Sequence, residues 1–486
     1  MRSHPQRVLV LGCGSVSQCV VPLLVRDLGI EPNRVTIVDM VDNRSRVAES
    51  LALGVRYVQD QVTRGNLDDF LAARVGSGDL LLDLAWNIDS PTIIDWCHDH
   101  NVRYLNTSVE KWDPYLDLQT THPVDRTLYV RHLELRRMIA RWGSNDGPSA
   151  VVEHGANPGL VSHFAKQALG EIAAKVLSDG LGGSRVPALE AALAAGSYNE
   201  LSRLTGTKVI HISERDTQIT DRPKEFDEFV NTWSVEGFYE EGIAPAEIGW
   251  GTHELRLPPN AYTHVGEGPR SQICLAQPGM STWVRSWVPC GPIHGMVIRH
   301  GEALTMSDHL TVWDEFGNPV YRPTVHYAYC PAESAIVSVH ELRQANWTLQ
   351  SRQRILNDEI TSGRDELGVL LLGHDYTGWW TGSLLSIDET RDILPGQNAT
   401  TMQVAGSVVA CVSWMIENPA SGLRVPDELP WEDVLAVAGK YLGTLHSGPT
   451  EWTPLKDRVD LFPVFGNESD GLDLHDPWQF TNFLVR

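Results

Sequence analysis

Short apolar runs alternate with helix-like segments through the first third of the chain. These runs predict strands at residues 8–11, 34–38, 55–58, 79–84, 102–105 and 149–152. Runs that are apolar at successive positions are typical of parallel strands that are covered on both faces. Strands that alternate with helices, including one predicted over residues 126–142, form a doubly wound α/β sheet.

The pattern changes after residue 160. A helix is predicted over residues 160–176, and β-rich segments at 255–257, 282–288 and 324–329 then alternate with turn residues. They predict a second domain of the α+β kind with a mixed or antiparallel sheet. Further on, SIDE at residues 386–389 matches a capping box, and a helix follows over residues 401–417.

A glycine-rich turn joins the first predicted strand to the first helix. Gly12 permits a tight turn, and Gly14 lets the backbone approach a phosphate. Ser15 and Val16 then open the helix, whose N-terminal N–H groups and positive dipole end attract an anion. The third glycine position holds Ser17, which is small but departs from the usual glycine or alanine.

An acidic residue ends the second predicted strand. Asp39 is placed to accept hydrogen bonds from the adenosine ribose, which favours NAD over NADP. Thr107 and Asn157 follow later strands at the same edge of the sheet and complete the predicted cofactor crevice. The alternative is a strand–helix–strand turn that binds nothing.

The length of 486 residues indicates two or three domains. The predicted division is a Rossmann-type NAD domain over residues 1–156, an α+β substrate and dimerisation domain over 157–395, and a C-terminal helix and tail over 396–486 that packs back on the first domain. The longest apolar stretch, 404–416, is too short for a membrane span and predicts a buried helix.

Composition narrows the classes of partner. The net charge of −23 disfavours nucleic acid and attracts cations. The seven cysteines are scattered without a CxxC pair, which fits reduced thiols in the cytoplasm. The first residues contain no signal-peptide pattern. CHDH at residues 97–100 is more typical of a solvent-facing helix end than of a metal site, so no metal is predicted.

Charged and aromatic clusters in the middle of the chain are not explained by periodicity. They are ERDTQ at residues 214–218, NTWSVEGF at 231–238, EEG at 240–242 and RHGE at 299–302. Each cluster has a simpler interpretation as a solvated strand end or turn. A tryptophan beside acids is likewise more often rim packing than part of a ligand site.

Together with other strings, these clusters closely resemble the bacterial homospermidine synthases from end to end. The strings, in chain order, are the glycine turn, GANPG (155–159), ERDTQ (214–218), VNTWSVEGF (230–238), PAEIGWGT (245–252), VYRPTVHYAY (320–329), DELGVLL (365–371), LSIDETR (385–391) and DPWQF (476–480). The resemblance implies a fold like that of the saccharopine dehydrogenase group and a homodimer.

The resemblance also implies an activity. Members of this family join two putrescine molecules into homospermidine and release ammonia, or join putrescine with spermidine. Bound NAD takes a hydride and then returns it, so the overall reaction in this family involves no net oxidation or reduction. Because the substrates are dications, their pocket needs carboxylates.

Several residues match positions to which the family gives roles. The resemblance implies that Glu214 and Glu241 hold substrate ammonium groups, and that Glu110 and Glu302 line the entrance or the pocket. Trp233 matches an aromatic residue at the reacting centre, where a π face stabilises a cationic imine.

Two further residues are candidates for the chemistry. His300 is the candidate proton acceptor, because an imidazole titrates near neutral pH. Asn157 is placed to hold either the substrate amine or the cofactor carboxamide. Lys111, next to Glu110, weakens a diamine site if it points inward.

Two other functions remain open at this point. An amino-acid-linked dehydrogenase of the saccharopine type would have Arg or Lys at positions 214 and 241, to bind substrate carboxylates. A non-catalytic NAD-sensing protein on the same scaffold would not need Trp233, His300 and the pocket acids.

Overall fold

The computed structural model describes residues 4–458 and 471–485. The longer helices are α1 (Ser15–Leu28), α4 (Ser90–Asp99), α5 (Leu128–Trp142), α6 (Leu160–Ser178), α7 (Val186–Ala195), α8 (Tyr198–Thr205), α9 (Val235–Ile243), α11 (Glu333–Gln344), α13 (Ala399–Glu417) and α14 (Trp431–Ala438). The shorter ones are α2 (Ala48–Ala52), α3 (Leu67–Ala72), α10 (Thr305–His309), α12 (Ile387–Ile393) and α15 (Phe480–Phe483).

The strands, in chain order, are β1 (Val8–Leu11), β2 (Val35–Asp39), β3 (Arg56–Gln59), β4 (Leu80–Asp83), β5 (Arg103–Asn106), β6 (Ala150–Val151), β7 (Val209–Asp216), β8 (Ile219–Thr220), β9 (Glu228–Asn231), β10 (Pro245–Gly249), β11 (Ala261–Thr263), β12 (Gln272–Pro278), β13 (Trp283–Val288), β14 (Gly291–Met296), β15 (Val312–Trp313), β16 (Pro319–Tyr321), β17 (Thr324–Cys330), β18 (Arg352–Ile355), β19 (Ile360–Ser362), β20 (Arg364–Leu372), β21 (Gly378–Ser386), β22 (Leu423–Arg424) and β23 (Thr444–Thr450).

The first sheet is parallel and doubly wound, in the order β22-β6-β5-β4-β1-β2-β3. The predicted α/β class and its six strands are confirmed. Strand β1 is apolar and buried at all its positions, as a parallel strand between two helical layers must be. The strand order reverses between β1 and β4, so a crevice opens at the carboxyl ends of these two strands.

The second sheet is mixed, which confirms the α+β prediction. Its main path is β11-β12-β10-β17-β7-β20-β21-β23, and β13 and β14 attach through β17. Strands β17 and β7 pair in parallel, whereas β7 and β20 are antiparallel. The carboxyl end of β7 carries Glu214 toward the crevice of the first sheet.

The prediction of a β-rich segment at residues 255–257 is wrong. The edge strand there is β11, which begins only at Ala261. Leu255 and Leu257 are exposed, and the N–H group of Leu255 donates to the side chain of Gln479. Pro258 and Pro259 follow directly and have no N–H group to donate to a neighbouring strand.

Helices α6 and α13 form the core between the two sheets. Helix α6 packs against β20 and β21, while α13 packs against α1 and α14. Helix α13 is long and apolar enough to cross a membrane, but its residues are mostly buried inside the protein, as predicted for a core helix. The capping box at Ser386 and Glu389 is confirmed at the start of α12.

The segment after residue 396 contributes to both sheets. Strand β22 extends the first sheet beside β6, and α13 packs on α1. Strand β23, in contrast, pairs with β21 of the second sheet, and α15 packs against β13. The prediction that this segment packs back on the first domain therefore holds for only part of it. The predicted domain boundaries remain predictions.

Candidate active site

The glycine turn after β1 leaves an open groove. Gly12 has φ +86°, and a Cβ there would lie 2.8 Å from the carbonyl oxygen of Leu84, so only glycine fits without strain. Gly14 precedes α1, and a Cβ at this position would meet no atom within 4 Å. No side chain caps the helix, which leaves its first N–H groups to bind an anion.

Ser17 and Asp39 complete the turn. Ser17 is buried, and its hydroxyl donates to the Gly12 carbonyl oxygen at 2.7 Å, so the serine fits the third glycine position. The Asp39 carboxylate accepts from the backbone N–H groups of Cys13 at 2.6 Å and Val41 at 2.8 Å. These bonds fix the carboxylate at the end of β2, beside the glycine turn, where an adenosine ribose would lie.

The groove along this turn is shared between the two domains. Gly14, Ser15 and Arg46 line it from the first domain, while Gln353 and Asn357 line it from the second. Its volume is about 340 Å³. The open cradle at Gly14 and the free helix N-terminus fit the pyrophosphate of a dinucleotide.

A second cavity continues inward from the turn, between the two sheets. It is lined by most of the residues predicted for the site, namely Val16, Thr107, Glu110, Asn157, Glu214, Trp233, Glu241 and His300. Acids, an aromatic ring and the end of the glycine turn thus face one space. The sequence places these residues in segments far apart, and the crevice between the sheets brings them together.

Glu302 does not line this cavity. Its side chain is buried, and one carboxylate oxygen accepts from the N–H group of Gly159 at 3.1 Å. Burial raises the pKa of Glu302 well above its usual value, which favours the neutral acid. The structure therefore places Glu302 behind the GANPG loop, where it holds the backbone that carries Asn157.

Glu214 lies at the centre of a hydrogen-bonded group. It is 2% exposed, and one carboxylate oxygen accepts from the Asn157 amide at 2.6 Å and from the Tyr327 hydroxyl. Burial raises the pKa of Glu214 to about 7, against the effect of these two donors. Glu214 is therefore a group that takes up or releases a proton near neutral pH.

Trp233 is oriented by aromatic neighbours just before α9. Its indole N–H donates to the Tyr329 hydroxyl at 3.0 Å, and its ring lies 5.5 Å from that of Phe238. Tyr329 in turn stacks on Tyr327 at 5.2 Å. The indole is half-buried and lines the cavity with Glu214, so a cation held there lies near a π face.

Two further acids face the same cavity. The Glu110 carboxylate accepts from the Ser108 hydroxyl at 2.7 Å, and burial together with the nearby Glu240 raises its pKa to about 7. Within the described residues, the structure gives the Glu241 carboxylate no hydrogen-bond partner, and burial raises its pKa well above the usual value. An entering ammonium group would supply the missing partner for Glu241.

His300 lines the cavity, but it does not titrate near neutral pH as predicted. Burial lowers its pKa to about 4, so the ring is neutral at physiological pH. Its Nε2 lies 2.8 Å from the Asn157 carbonyl oxygen and donates to it. Nδ1 then carries no proton and has no hydrogen-bond partner among the described residues.

Sequence reasoning missed two residues of this group. Tyr327 donates to Glu214, and Asp365 lies on β20 next to it, where burial and Glu214 raise the pKa of Asp365 well above its usual value. Both residues lie in strings that carried the resemblance, VYRPTVHYAY and DELGVLL. The signal was a tyrosine and an acid within strands that are almost entirely buried, where a polar side chain needs a partner.

Lys111 does not line the cavity that contains Glu110; its ammonium group lies 3.0 Å from Glu134 in a half-exposed pair. In the part of the chain that the structure describes, no group of His, Cys, Asp and Glu is arranged to hold a metal ion.

Two domain families and two curated relatives match the sequence of this chain. Residues 8–151 match the saccharopine dehydrogenase NADP binding domain, and residues 155–448 match the saccharopine dehydrogenase C-terminal domain. The homospermidine synthase of Blastochloris viridis is 40% identical over 99% of this chain and 97% of its own. That of Mesorhizobium japonicum is also 40% identical, over 99% of this chain and 96% of its own.

Solved structures give the same result. The homospermidine synthase of Legionella pneumophila in complex with NAD is 36% identical, covers 99% of this chain and 98% of its own, and superposes with a TM-score of 0.85. Apo saccharopine dehydrogenase of Saccharomyces cerevisiae, at 12% identity and a TM-score of 0.50, shares the fold alone. Two such enzymes are 40% identical to this chain over 99% of its length, and both saccharopine dehydrogenase domains match it in order. This chain therefore belongs to the homospermidine synthase family.

Proposed function

We propose that this chain is a homospermidine synthase. It joins two molecules of putrescine into homospermidine and releases ammonia, or it joins putrescine with spermidine and releases diaminopropane. The single observation that carries the proposal is the shared cavity, which Glu214, Glu241 and Trp233 line together with Val16 at the start of α1, directly after the glycine turn.

NAD is the proposed cofactor, and when bound it accepts a hydride and later returns it. Gly12, Gly14 and Ser15 would hold its pyrophosphate, and Asp39 its adenosine ribose. Val16 and Thr107 line the inner cavity and would border the reactive end. The NAD complex of the Legionella pneumophila relative supports this assignment.

The proposed roles of the acids follow from charge. Putrescine carries an ammonium group at each end, and a buried carboxylate stabilises such a group strongly because water is excluded. Glu214 would hold the reacting end beside Trp233, while Glu241 and Glu110 would hold the other end. Each ammonium group that enters also favours ionisation of the acid that receives it.

The first chemical step needs an amine without its extra proton, because hydride leaves only a carbon next to a free amine. Glu214, with a pKa of about 7, is a better base for that proton than His300, with a pKa of about 4. Asn157 and Tyr327 orient the Glu214 carboxylate. His300 would take part through its unprotonated Nδ1, as a hydrogen-bond acceptor for the amine.

Trp233 would stabilise the substrate imine that remains after hydride transfer. The imine carries positive charge when protonated, and a π face lowers the energy of a cation by about 0.5–2 kcal/mol. A neutral aldehyde gains little from the same ring. The second amine then attacks the imine carbon, ammonia leaves, and the new imine is reduced.

The two alternatives fit the site less well. A saccharopine-type dehydrogenase binds substrate carboxylates, whereas this cavity is lined by Glu110, Glu214 and Glu241, with no lysine or arginine among the described residues that line it. A protein that only senses NAD has no use for three acids around a tryptophan. We further propose a cytoplasmic homodimer whose ligands are polyamines, with neither nucleic acid nor membrane as partner.

The test is to incubate the protein with putrescine and sub-stoichiometric NAD and to measure amines by mass spectrometry. Homospermidine and ammonia should form in equal amounts, many times in excess of the NAD supplied, without accumulation of free NADH. The Glu214→Gln variant is the control for background reactions. One NADH per putrescine consumed would instead identify a simple amine dehydrogenase, and NAD binding without turnover of any diamine would identify a sensor.

A further inference from the structure

Three buried charged side chains lie directly behind one wall of the cavity. Arg131 donates to Glu240 at 2.6 Å, and Arg299 donates to the same carboxylate oxygen from the other side. All three side chains are 8% exposed or less. We call this group of two guanidinium groups and one carboxylate the back-wall cluster.

The back-wall cluster is attached to three cavity residues from three separate segments. Two members of the cluster directly precede a cavity residue in the chain: Glu240 precedes Glu241, and Arg299 precedes His300. The third, Arg131, donates at 2.5 Å to the carbonyl oxygen of Val109, the residue before Glu110. The strand-to-helix loop after β5, helix α9 and the segment after β14 are therefore fixed to one another at the point where each reaches the cavity.

Stability alone does not explain such a cluster. Removing charges from water costs several kcal/mol per ion, and well-packed apolar side chains often replace a buried ion pair without loss of stability. The cluster also carries one net positive charge beside two acids: Glu110, whose carboxylate accepts from Ser108, and Glu241, whose carboxylate has no hydrogen-bond partner among the described residues. Burial raises the pKa of both acids. The positive charges of Arg131 and Arg299 act to lower the pKa of Glu110, and the charge of Arg299 acts to lower the pKa of Glu241.

We propose that the back-wall cluster is a positioning device for the diamine site: it sets the spacing of Glu110 and Glu241, and its surplus positive charge favours the ionised form of each acid. An ammonium group then finds two acidic side chains already held in place, so less binding energy is lost in arranging them. This inference rests on the proposed function, because it takes a diamine as the ligand.

Other charged groups also face these acids. Glu153 lies near Glu241, but it is paired with His132 at 2.9 Å. Glu240 faces both acids and raises the pKa of each, while its own charge is held by the two arginines. The surplus positive charge of the cluster is therefore what favours ionisation of Glu110 and Glu241.

The first test is Arg131→Lys, which keeps the charge but removes the fork that joins Glu240 to the Val109 carbonyl. The matched control is Arg322→Lys, since Arg322 is equally buried, bonds Thr311 at 3.0 Å and lies outside the cavity lining. Arg131→Lys should weaken putrescine binding at least tenfold by calorimetry, measured on the NADH-loaded protein, which cannot accept a hydride from the diamine. Its kcat should stay within about threefold of the wild type. Arg322→Lys should leave putrescine binding within twofold, and both variants should bind NAD normally.

The second test is Arg131→Gln, which removes the charge as well. Glu110 and Glu214 both contribute to the acid limb of kcat/KM. The part due to Glu110 should then move to higher pH, since Glu110 ionises less readily, whereas Arg131→Lys should leave the limb in place. Arg299→Lys approaches Glu240 from the other side and serves if an Arg131 variant does not fold, with the same expected loss of putrescine affinity.

The inference is overturned if the cluster variants bind putrescine as tightly as Arg322→Lys and keep the wild-type pH limb. Loss of melting temperature alone, equal in Arg131→Lys and the control, overturns it as well. Because binding is measured without turnover, the proposed function is tested separately. A wild-type protein that binds putrescine but makes no homospermidine would refute the function, and weaker binding by Arg131→Lys would still support the positioning role.

Discussion

The Glu214→Gln substitution tests the central acid with almost no change of shape. Glutamine has the volume of glutamate and still offers an oxygen to the Asn157 amide and the Tyr327 hydroxyl, so the folded state should survive. It cannot neutralise an ammonium group. A buried charge left without its partner costs about 3–5 kcal/mol. We therefore expect kcat/KM for putrescine to fall roughly 10²- to 10⁴-fold.

The pH dependence gives the same prediction a second readout. Because the pKa of Glu214 is about 7 in the empty site, kcat/KM of the wild type should decline as the pH falls below about 7. That limb should become shallower in Glu214→Gln, which has lost the Glu214 carboxyl group and keeps only the contribution of Glu110. NAD affinity, followed by the fluorescence of bound NADH, should stay the same, since Glu214 lies outside the groove at the glycine turn.

Stability should respond in a defined direction. A carboxyl whose pKa is raised on folding stabilises the protein below the unfolded pKa, and this contribution is lost as the pH rises through the folded value. The window for Glu214 therefore runs from about 4.5 to about 7. The melting temperature of Glu214→Gln, relative to wild type, should rise between pH 5 and pH 8. A variant with near-normal kcat/KM and an unchanged acid limb would refute the assignment of Glu214 as the substrate acid.

The remaining predictions use the same assays. Glu241→Gln should raise KM for putrescine at least tenfold and keep NAD affinity, and an unchanged KM would show that Glu241 is not a ligand. Activity should fall in the order Trp233, Trp233→Phe, Trp233→Leu, by about tenfold for leucine; an unchanged single-turnover rate in folded Trp233→Leu would leave only a packing role. Gly14→Val should abolish NAD binding with little loss of melting temperature, because its Cβ enters open space, whereas Gly12→Ala should lower the melting temperature, because its Cβ meets the Leu84 carbonyl.

The first sheet could be predicted from the sequence because its signal is local. Strands such as β1 and β4 are buried on both faces, so their runs of Val and Leu are visible without knowledge of the rest of the fold. Strand β22 was not predicted, because it has only two residues and pairs with β6 across more than 250 positions of the chain. Residues 255–257 show the opposite error, in which apolar residues without a partner strand remain exposed.

The site residues were named from the resemblance and from clusters of charge, but their relations were not predictable. Glu214 meets Asn157 and Tyr327 over 57 and 113 positions of sequence, and no local pattern encodes such contacts. Glu302 and His300 lie two positions apart, yet one supports the Gly159 backbone while the other faces the cavity. Only the fold determines which side of the loop each residue occupies.

Burial also decides which of these groups can move a proton, and it does so in opposite directions. The same exclusion of water that lowers the pKa of His300 to about 4 raises that of Glu214 to about 7, because burial disfavours the charged form of each. From side-chain type alone, histidine is the natural base at neutral pH and glutamate is not. In this cavity the order is reversed, so the group proposed to bind the ammonium group is also the one poised to take its proton.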